Sequence, residues 1–319
     1  MNSGKNKTME TENKYYDVIV LGGGAAGLTA GIYLSRAKMK TLIINEGTAG
    51  GQMVLTHEIA NYPGVENTGG YMLGSTMAKQ AKSFGAEIIN NAKIESFDLT
   101  SKIKSVEVAR KGKFTSGAVI VATGGRSRPL NVPGENEFKG RGISYCATCD
   151  GDFFQNKEII VVGGGNSALE EAVSLTKYAS KVTIVHQFDH FQALEHYVEE
   201  AKANEKINFI MESEIQEFYG DEKLTRVKIE NMRTHEFTEM DIDGVFILIG
   251  YIPNTESFKG ILELTERNEI ITTREMETNL PGVFAAGDCI AKKYRQVTTA
   301  VADGTIAALS AVDYLNNNK

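Results

Sequence analysis

Cys146-Ala147-Thr148-Cys149-Asp150 is the stretch of this 319-residue chain best equipped for chemistry. Two cysteines three apart can close a small disulfide ring, and one of them, as a thiolate, can attack another disulfide. Asp150, directly after them, is placed to shuttle the proton that thiol–disulfide exchange requires. Cys-x-x-Cys is also half of a zinc site. The chain has three cysteines. The third, Cys289, is remote in sequence, and no His-x-x-x-His pair lies near 146–149 to complete four ligands. The pattern reads as redox chemistry without a metal.

The elements that must position this stretch are two strand–glycine-turn–helix units. Tyr15–Leu21 is a short apolar run with β-branched residues, which predicts a buried strand. It enters Gly22-Gly23-Gly24-Ala25-Ala26-Gly27, a G-x-G-x-x-G turn, followed by a helix over 28–37 and a strand over Thr41–Ile44. Gly22 makes the tight turn, Gly24 lets a pyrophosphate reach the backbone, and Gly27 lets the helix pack on the sheet. The second strand ends in Asn45-Glu46, and either can meet a ribose. The pattern repeats 141 residues later: strand Glu158–Val162, turn Gly163-x-Gly165-x-x-Ala168, helix 167–179 and strand Lys181–Val185. The cysteine stretch lies just upstream of this second unit.

Other segments complete an α/β reading. Residues 50–64 read as a loop beside the first dinucleotide turn, 70–84 and 190–204 as helices, and 86–90 and 92–99 as strands. A hairpin-like stretch surrounds Lys111-Gly112. The buried runs 118–124 and 244–250 end in glycines and read as returns between domains. Segments 207–211, 215–219, 224–230 and 236–240 read as a meander. Gly282–Asp288 is a last strand with an acid at its end, and a small-residue helix covers 298–316, its N-terminal dipole available to a flavin.

Composition excludes some classes. Hydrophobic residues are 42% and charged residues 24%, as in ordinary globular domains. Net charge is −7, which argues against a general nucleic-acid binder. No apolar run reaches the ~18–20 residues of a membrane span. Residues 1–14 read as a polar, disordered arm without the apolar core of a signal peptide. A cytoplasmic location follows as the expectation, and there Cys-x-x-Cys is more often catalytic than structural.

Taken together, these residues resemble the low-molecular-weight thioredoxin reductases, over about 16–315. The resemblance rests on the two glycine turns, Gly50-Gly51-Gln52, Asn61-Tyr62-Pro63-Gly64, Ala122-Thr123-Gly124-Gly125, Cys146-x-x-Cys149-Asp150-Gly151, Pro253-Asn254-Thr255, Ala286-Gly287-Asp288 and Tyr294-Arg295-Gln296. It implies an α/β flavoprotein with two Rossmann-like dinucleotide-binding domains, the second inserted in the first. FAD would lie in 15–125 with 252–319, and 126–251 would be the NAD(P)-like domain carrying the disulfide. It implies a homodimer that reduces thioredoxin, with Cys149 nearest the flavin, Cys146 attacking thioredoxin and Asp150 as acid/base. FAD would be held by Gly22, Gly24, Ala25, Ala26 and Gly27, by Asn45 or Glu46, and by Ala122, Thr123 and Gly124. Gly51, Gln52, Thr56 and Asn61 would line the flavin, backbone near Ile94 the adenine, and Gly287 and Asp288 the ribityl chain. Arg295, Gln296 and Val297 would meet the isoalloxazine edge.

One segment departs from that family. Its NADPH enzymes carry a His-Arg-Arg-x-x-x-Arg type stretch whose arginines clamp the 2′-phosphate. This chain reads His186-Gln187-Phe188-Asp189-His190-Phe191-Gln192, and Asn166 stands in the glycine turn where the family has Asp. No acid at 186 awaits a free ribose 2′-hydroxyl. The pattern resembles the ferredoxin-dependent flavin thioredoxin reductases, which implies reduced ferredoxin as donor. Alternatives are an atypical NADPH- or NADH-dependent enzyme, a ferredoxin–NADP reductase, or a non-enzymatic flavoprotein. Ferredoxins are generally acidic, so Lys292 and Lys293 are candidates for a docking patch.

Overall fold

The computed structural model describes residues 14–56 and 58–318. The expected arm over 1–14 lies outside the described residues except for Lys14, which already begins the first strand, Lys14–Leu21. The chain divides into two compact units, one made of the residues up to Arg126 together with those from Pro253 onward, the other of Ser127–Ile252. Gly125–Ser127 and Tyr251–Pro253, where the chain passes between units, pair as a two-stranded ribbon.

The first unit is built on a seven-stranded sheet. Its order is Glu87–Ile89, Thr41–Ile44, Lys14–Leu21, Gly112–Val121, Lys104–Val108 and Ile94–Asp98, with Val283–Ala285 also paired to Gly112–Val121. Val18, Ile19, Val20 and Leu21 are buried on both faces, as a parallel strand covered by helices requires. Leu21 pairs with both Ile44 and Val121, so three strands end level beside the glycine turn. The helix after that turn runs over Ala25–Arg36, three residues earlier than its apolar pattern suggested. It packs on the C-terminal helix Val297–Asn317, where a Cβ on Gly304 would fall 2.2 Å from the Ala26 carbonyl oxygen.

Two strands exceed the sequence reading. Gly112–Val121 starts six residues before Ala118, and Lys104–Val108 pairs antiparallel with it across the expected hairpin. Phe114 and Ser116 alternate with half-exposed neighbours before the run becomes fully buried, so the first half lacks a continuous apolar signal. The segment 50–64 is not wholly loop, since Gly51–Leu55 forms a 3-10 helix.

The second unit holds a parallel sheet ordered Ile207–Ile210, Lys181–Val185, Glu158–Val162, Gly244–Ile247 and Ile143–Ser144. Ile207–Ile210 therefore leaves the expected meander. It follows the crossover helix Glu195–Ala203 and so returns parallel to Lys181–Val185. The meander has three strands, Ser213–Gly220, Leu224–Asn231 and Phe237–Asp241. The crossover helix begins at Glu195 rather than 190, because Gln192 N–H bonds the Gly164 carbonyl and Leu194 N–H bonds Asn166 Oδ1, each at 2.8 Å. No helix among the described residues is long and apolar enough to cross a membrane.

Candidate redox and dinucleotide sites

The edge strand Ile143–Ser144 delivers the chain to the cysteines. Cys146 and Cys149 are joined in a disulfide with their Cα atoms 5.3 Å apart. Cys146 begins the single helical turn Ala147–Asp150, and its Sγ accepts the Cys149 N–H at 3.1 Å. Cys149 is exposed and Cys146 half-buried. Asp150 Oδ2 accepts the Ser144 hydroxyl at 2.6 Å, and Ser144 Oγ accepts the Cys146 N–H at 3.1 Å. Burial pushes the Asp150 carboxyl above its ordinary range, and the Ser144 bond opposes that.

Further polar residues brace the ring, and the sequence reading gave none of them a role. Glu171, on the helix Asn166–Leu175, accepts the Ala147 N–H at 3.0 Å. Its carboxyl is raised by burial, against the pull of that bond. Tyr145 donates to Glu135 Oε1 at 2.6 Å, and burial followed by that bond raises its phenol. Glu135 is buried and accepts the backbone N–H groups of Leu130 and Asn131 at 3.0 and 2.6 Å. Ser144 lies two residues before Cys146, and its bonds depend on the turn that follows it. Glu171 is 24 positions from its partner, so no local pattern marks it.

In the first unit the glycine turn is shaped for a dinucleotide. Gly22 has φ +114°, and a Cβ there would sit 2.2 Å from the Ala122 carbonyl oxygen. The helix Ala25–Arg36 has neither a side-chain cap nor an acid in its first turn, so its N–H groups face outward for an anion. Gly50 N–H bonds the Gly23 carbonyl at 2.7 Å, and Gly51 lies against Gly24. Asn45 is buried; its Oδ1 accepts the Gly23 N–H at 3.0 Å and its Nδ2 donates to the Gly47 carbonyl at 2.7 Å. Glu46 beside it is exposed. Ala92 N–H bonds the Asn45 carbonyl at 3.0 Å, which ties the approach to Ile94 to this end of the sheet. Thr123 is fastened to Asn254 by two bonds of 2.8 and 3.0 Å, next to Gly124. Gln52 and Thr56 lie on the 3-10 turn and at its end.

The C-terminal helix brings the remaining candidates in. Gln296 caps it through a reciprocal box with Thr299, and Asn61 Nδ2 reaches Gln296 Oε1 at 3.4 Å. Arg295 pairs with Glu269, and Val297 opens the helix. A Cβ on Gly287 would meet the Ala26 side chain at 2.8 Å. Burial raises the Asp288 carboxyl, with Lys292 pulling it back. Asp288 Oδ1 is buried, and Lys292 Nζ stands 3.2 Å away at ion-pair distance but out of line for a hydrogen bond. The exposed remainder of the Asp288 carboxylate can accept a hydroxyl from a ligand, as the polyol chain of FAD would offer.

Lys292 is not the surface cation its sequence suggested. Its ammonium pairs with Asp288 and, at 2.7 Å, with Asp303, and its side chain is 13% exposed. It belongs to the interior of the candidate cofactor site and offers no free charge for docking. Lys293 is exposed and lies over the Tyr294 ring.

The second glycine turn has a different cover. A Cβ on Gly164 would fall 2.4 Å from the His186 imidazole, so that ring lies directly on the turn. His186 is buried, stacks on Phe191 at 5.8 Å and meets Phe188 edge-on at 5.4 Å. Phe188 in turn stacks on His190 at 6.0 Å. Burial lowers the His186 pKa, which favours the neutral ring. Gln187, Phe188 and Gln192 are exposed. Arg233 approaches this segment but faces Glu212 at 3.9 Å and helps hold the Asp189 carboxyl low, after the dominant His190 bond. Space above Gly165 is open. Among the described residues no group of three or more His, Cys, Asp or Glu is placed to hold a metal ion.

The family model for pyridine nucleotide-disulphide oxidoreductase matches residues 16–304. A thioredoxin reductase of Peptoclostridium acidaminophilum is 46% identical over 310 residues, covering 95% of this chain and 98% of that one. A 34.2 kDa protein in rubredoxin operon of Clostridium pasteurianum is 43% identical over 304 residues, covering 95% and 98%. The crystal structure of thioredoxin reductase from Streptococcus pyogenes superposes with a TM-score of 0.91 at 40% identity, covering 96% of this chain and 99% of that chain.

Proposed function

The chain belongs to the pyridine nucleotide-disulphide oxidoreductase family, among its thioredoxin reductases, and we propose that it is a member fed by reduced ferredoxin rather than by NADPH. It is an FAD-dependent disulfide oxidoreductase with thioredoxin as its substrate partner. The observation that carries the donor reading is the cover of the second glycine turn. Gln187, Phe188 and Gln192 stand where a phosphate clamp needs arginines, and the nearby Arg233 is met by carboxylates.

Bound FAD would supply the electron-transfer chemistry, able to accept electrons singly or in pairs and to deliver a pair to the Cys146–Cys149 disulfide. In this reading Gly22, Gly24, Ala25, Ala26 and Gly27 hold its pyrophosphate. Glu46 would hold the ribose, because Asn45 spends its amide on Gly23 and Gly47. Ala122–Gly124 would help hold FAD, backbone near Ile94 would meet the adenine, Gly51, Gln52, Thr56 and Asn61 would line the flavin, and Gly287 with Asp288 would meet the polyol. Arg295, Gln296 and Val297 stand at the ring edge.

With the disulfide reduced, Cys146 is the attacking sulfur. Cys146 gives its proton to Asp150 and bonds one sulfur of the substrate disulfide, whose S–S bond breaks. The departing sulfur takes the proton from Asp150. Cys149 then loses its proton and attacks Cys146, restoring the protein disulfide and releasing the second substrate sulfur, which is protonated in turn. Two electrons and two protons leave the protein dithiol and appear on the substrate dithiol.

A homodimer would cover apolar side chains exposed on first-unit helices, among them Tyr33, Tyr71, Met72, Ile306 and Leu309. A nucleotide-dependent thioredoxin reductase is the second reading, favoured by the open space above Gly165. Anaerobic titration of the oxidised holoprotein separates the two. Reduced ferredoxin is expected to bleach the flavin absorbance, and equimolar NADPH is expected to leave it largely oxidised. Full bleaching by NADPH alone would favour the second reading.

A further inference from the structure

Ser144 is 5% exposed, paired in the sheet opposite Phe246, and lies two residues before the first cysteine. We propose that Ser144 is a positioning residue for the proton transfers of thioredoxin reduction: its hydroxyl fixes Asp150 Oδ2 so that the other oxygen, Oδ1, carries the proton exchanged with the cysteine sulfurs. The inference rests on the reading of Asp150 as acid/base and adds the device that aims it.

Three bonds make the device. Cys146 N–H occupies a lone pair of Ser144 Oγ at 3.1 Å. The hydroxyl hydrogen is thereby directed to Asp150 Oδ2, a short contact of 2.6 Å, rather than to the Cys146 carbonyl 3.4 Å away. Asp150 N–H bonds that same carbonyl at 3.1 Å. The backbone of Asp150 is thus tied to Cys146 directly, and its carboxylate through Ser144. Oδ1 has no hydrogen-bond partner among the described residues, so it is the oxygen available to a thiol. Ser144 keeps its own proton throughout. It orients the carboxyl and neither donates to nor accepts from the reacting sulfurs.

The bond also sets when Asp150 is charged. The titratable groups around it are the two cysteines, Glu171 behind Ala147, the Tyr145–Glu135 pair, Asp152 on the following turn, and Tyr178, whose ring lies near Gly151. Its upward shift comes from burial, opposed by the Ser144 bond alone. Removing the hydroxyl leaves burial unopposed. The carboxyl then holds its proton to higher pH, and whichever limb of the pH profile Asp150 governs moves to higher pH.

The test is single-turnover oxidation of pre-reduced holoenzyme by oxidised thioredoxin across pH, which needs no electron donor during the measurement. Ser144→Ala is expected to slow turnover about 10-fold, part of the 10²–10⁴-fold typical of general acid–base catalysis, and to move the Asp150 limb to higher pH. Ser144→Thr, which keeps the hydroxyl, should restore rate and limb, while the equally sized Ser144→Val should not. This pair decides the matter even if the alanine variant folds poorly. An unmoved limb in Ser144→Val, with or without a loss of rate, overturns the proposal. Asp150→Asn is run alongside. If it keeps the wild-type rate and profile, the acid/base reading itself fails and this inference with it. If Asp150→Asn is inactive while Ser144→Val is normal, only the inference about Ser144 fails.

Discussion

Cys149→Ser is expected to purify with FAD bound and to lose thioredoxin reduction by about 10³-fold or more. The two halves of that result come from different parts of the chain. The residues assigned to FAD lie before Arg126 or after Pro253, whereas Cys149 lies within Ser127–Ile252. Cofactor retention therefore does not depend on it. Cys146 keeps its sulfur in this variant and can still attack a substrate disulfide once. A serine hydroxyl, far less acidic than a thiol, cannot displace the substrate from the resulting mixed disulfide. Pre-reduced Cys149→Ser should accordingly trap one thioredoxin per chain, visible on a non-reducing gel and removed by added dithiol. Sustained turnover in this variant would take the disulfide out of the mechanism.

Restoring arginines is expected to produce the second large change. Gln187→Arg, Phe188→Arg and Gln192→Arg together should tighten NADPH binding by about 10²–10³-fold, the return of one to two well-formed charge-assisted hydrogen bonds at roughly 1.5–3 kcal/mol each, with every 1.4 kcal/mol tenfold. All three positions are exposed, so long cations can be placed there without opening the core. Phe188 is 38% exposed, and replacing it gives up its ring contacts to His186 and His190. Open space over Gly165 leaves room for a pyrophosphate to approach. Equilibrium titration of wild type and triple variant with NADPH reads the difference. Equal and tight affinities in the two proteins would show that the clamp was never the missing part.

What the sequence made legible was what lies close together along it. The two glycine turns, their flanking strands and Cys146-x-x-Cys149-Asp150 each fit within a few consecutive residues, and both sheets grow from those turns. What escaped depends on groups meeting across the fold. Glu171 reaches Ala147 only because its helix packs behind the disulfide turn. Lys292 looked like half of a surface pair with Lys293, yet Asp288 and Asp303 draw it inward. The helix expected from 190 is delayed to Glu195 by two bonds to the glycine turn, at Gly164 and Asn166, that no periodicity encodes. Asn45 occupies the usual ribose position and Glu46 comes one residue later, which left the choice between them open. The structure separates them by burial, since one locks the turn and the other stays exposed.

The most direct measurement is a side-by-side anaerobic assay of thioredoxin reduction with NADPH, NADH or reduced ferredoxin as the sole electron source. NADH escapes the missing phosphate clamp but finds no acid at His186 to hold its 2′-hydroxyl. Reduced ferredoxin is therefore expected to sustain brisk turnover, with both nucleotides poor at sub-millimolar concentration. Rapid reduction of thioredoxin with either nucleotide at that concentration, and none with ferredoxin, would contradict the account and make the protein an ordinary nucleotide-dependent thioredoxin reductase.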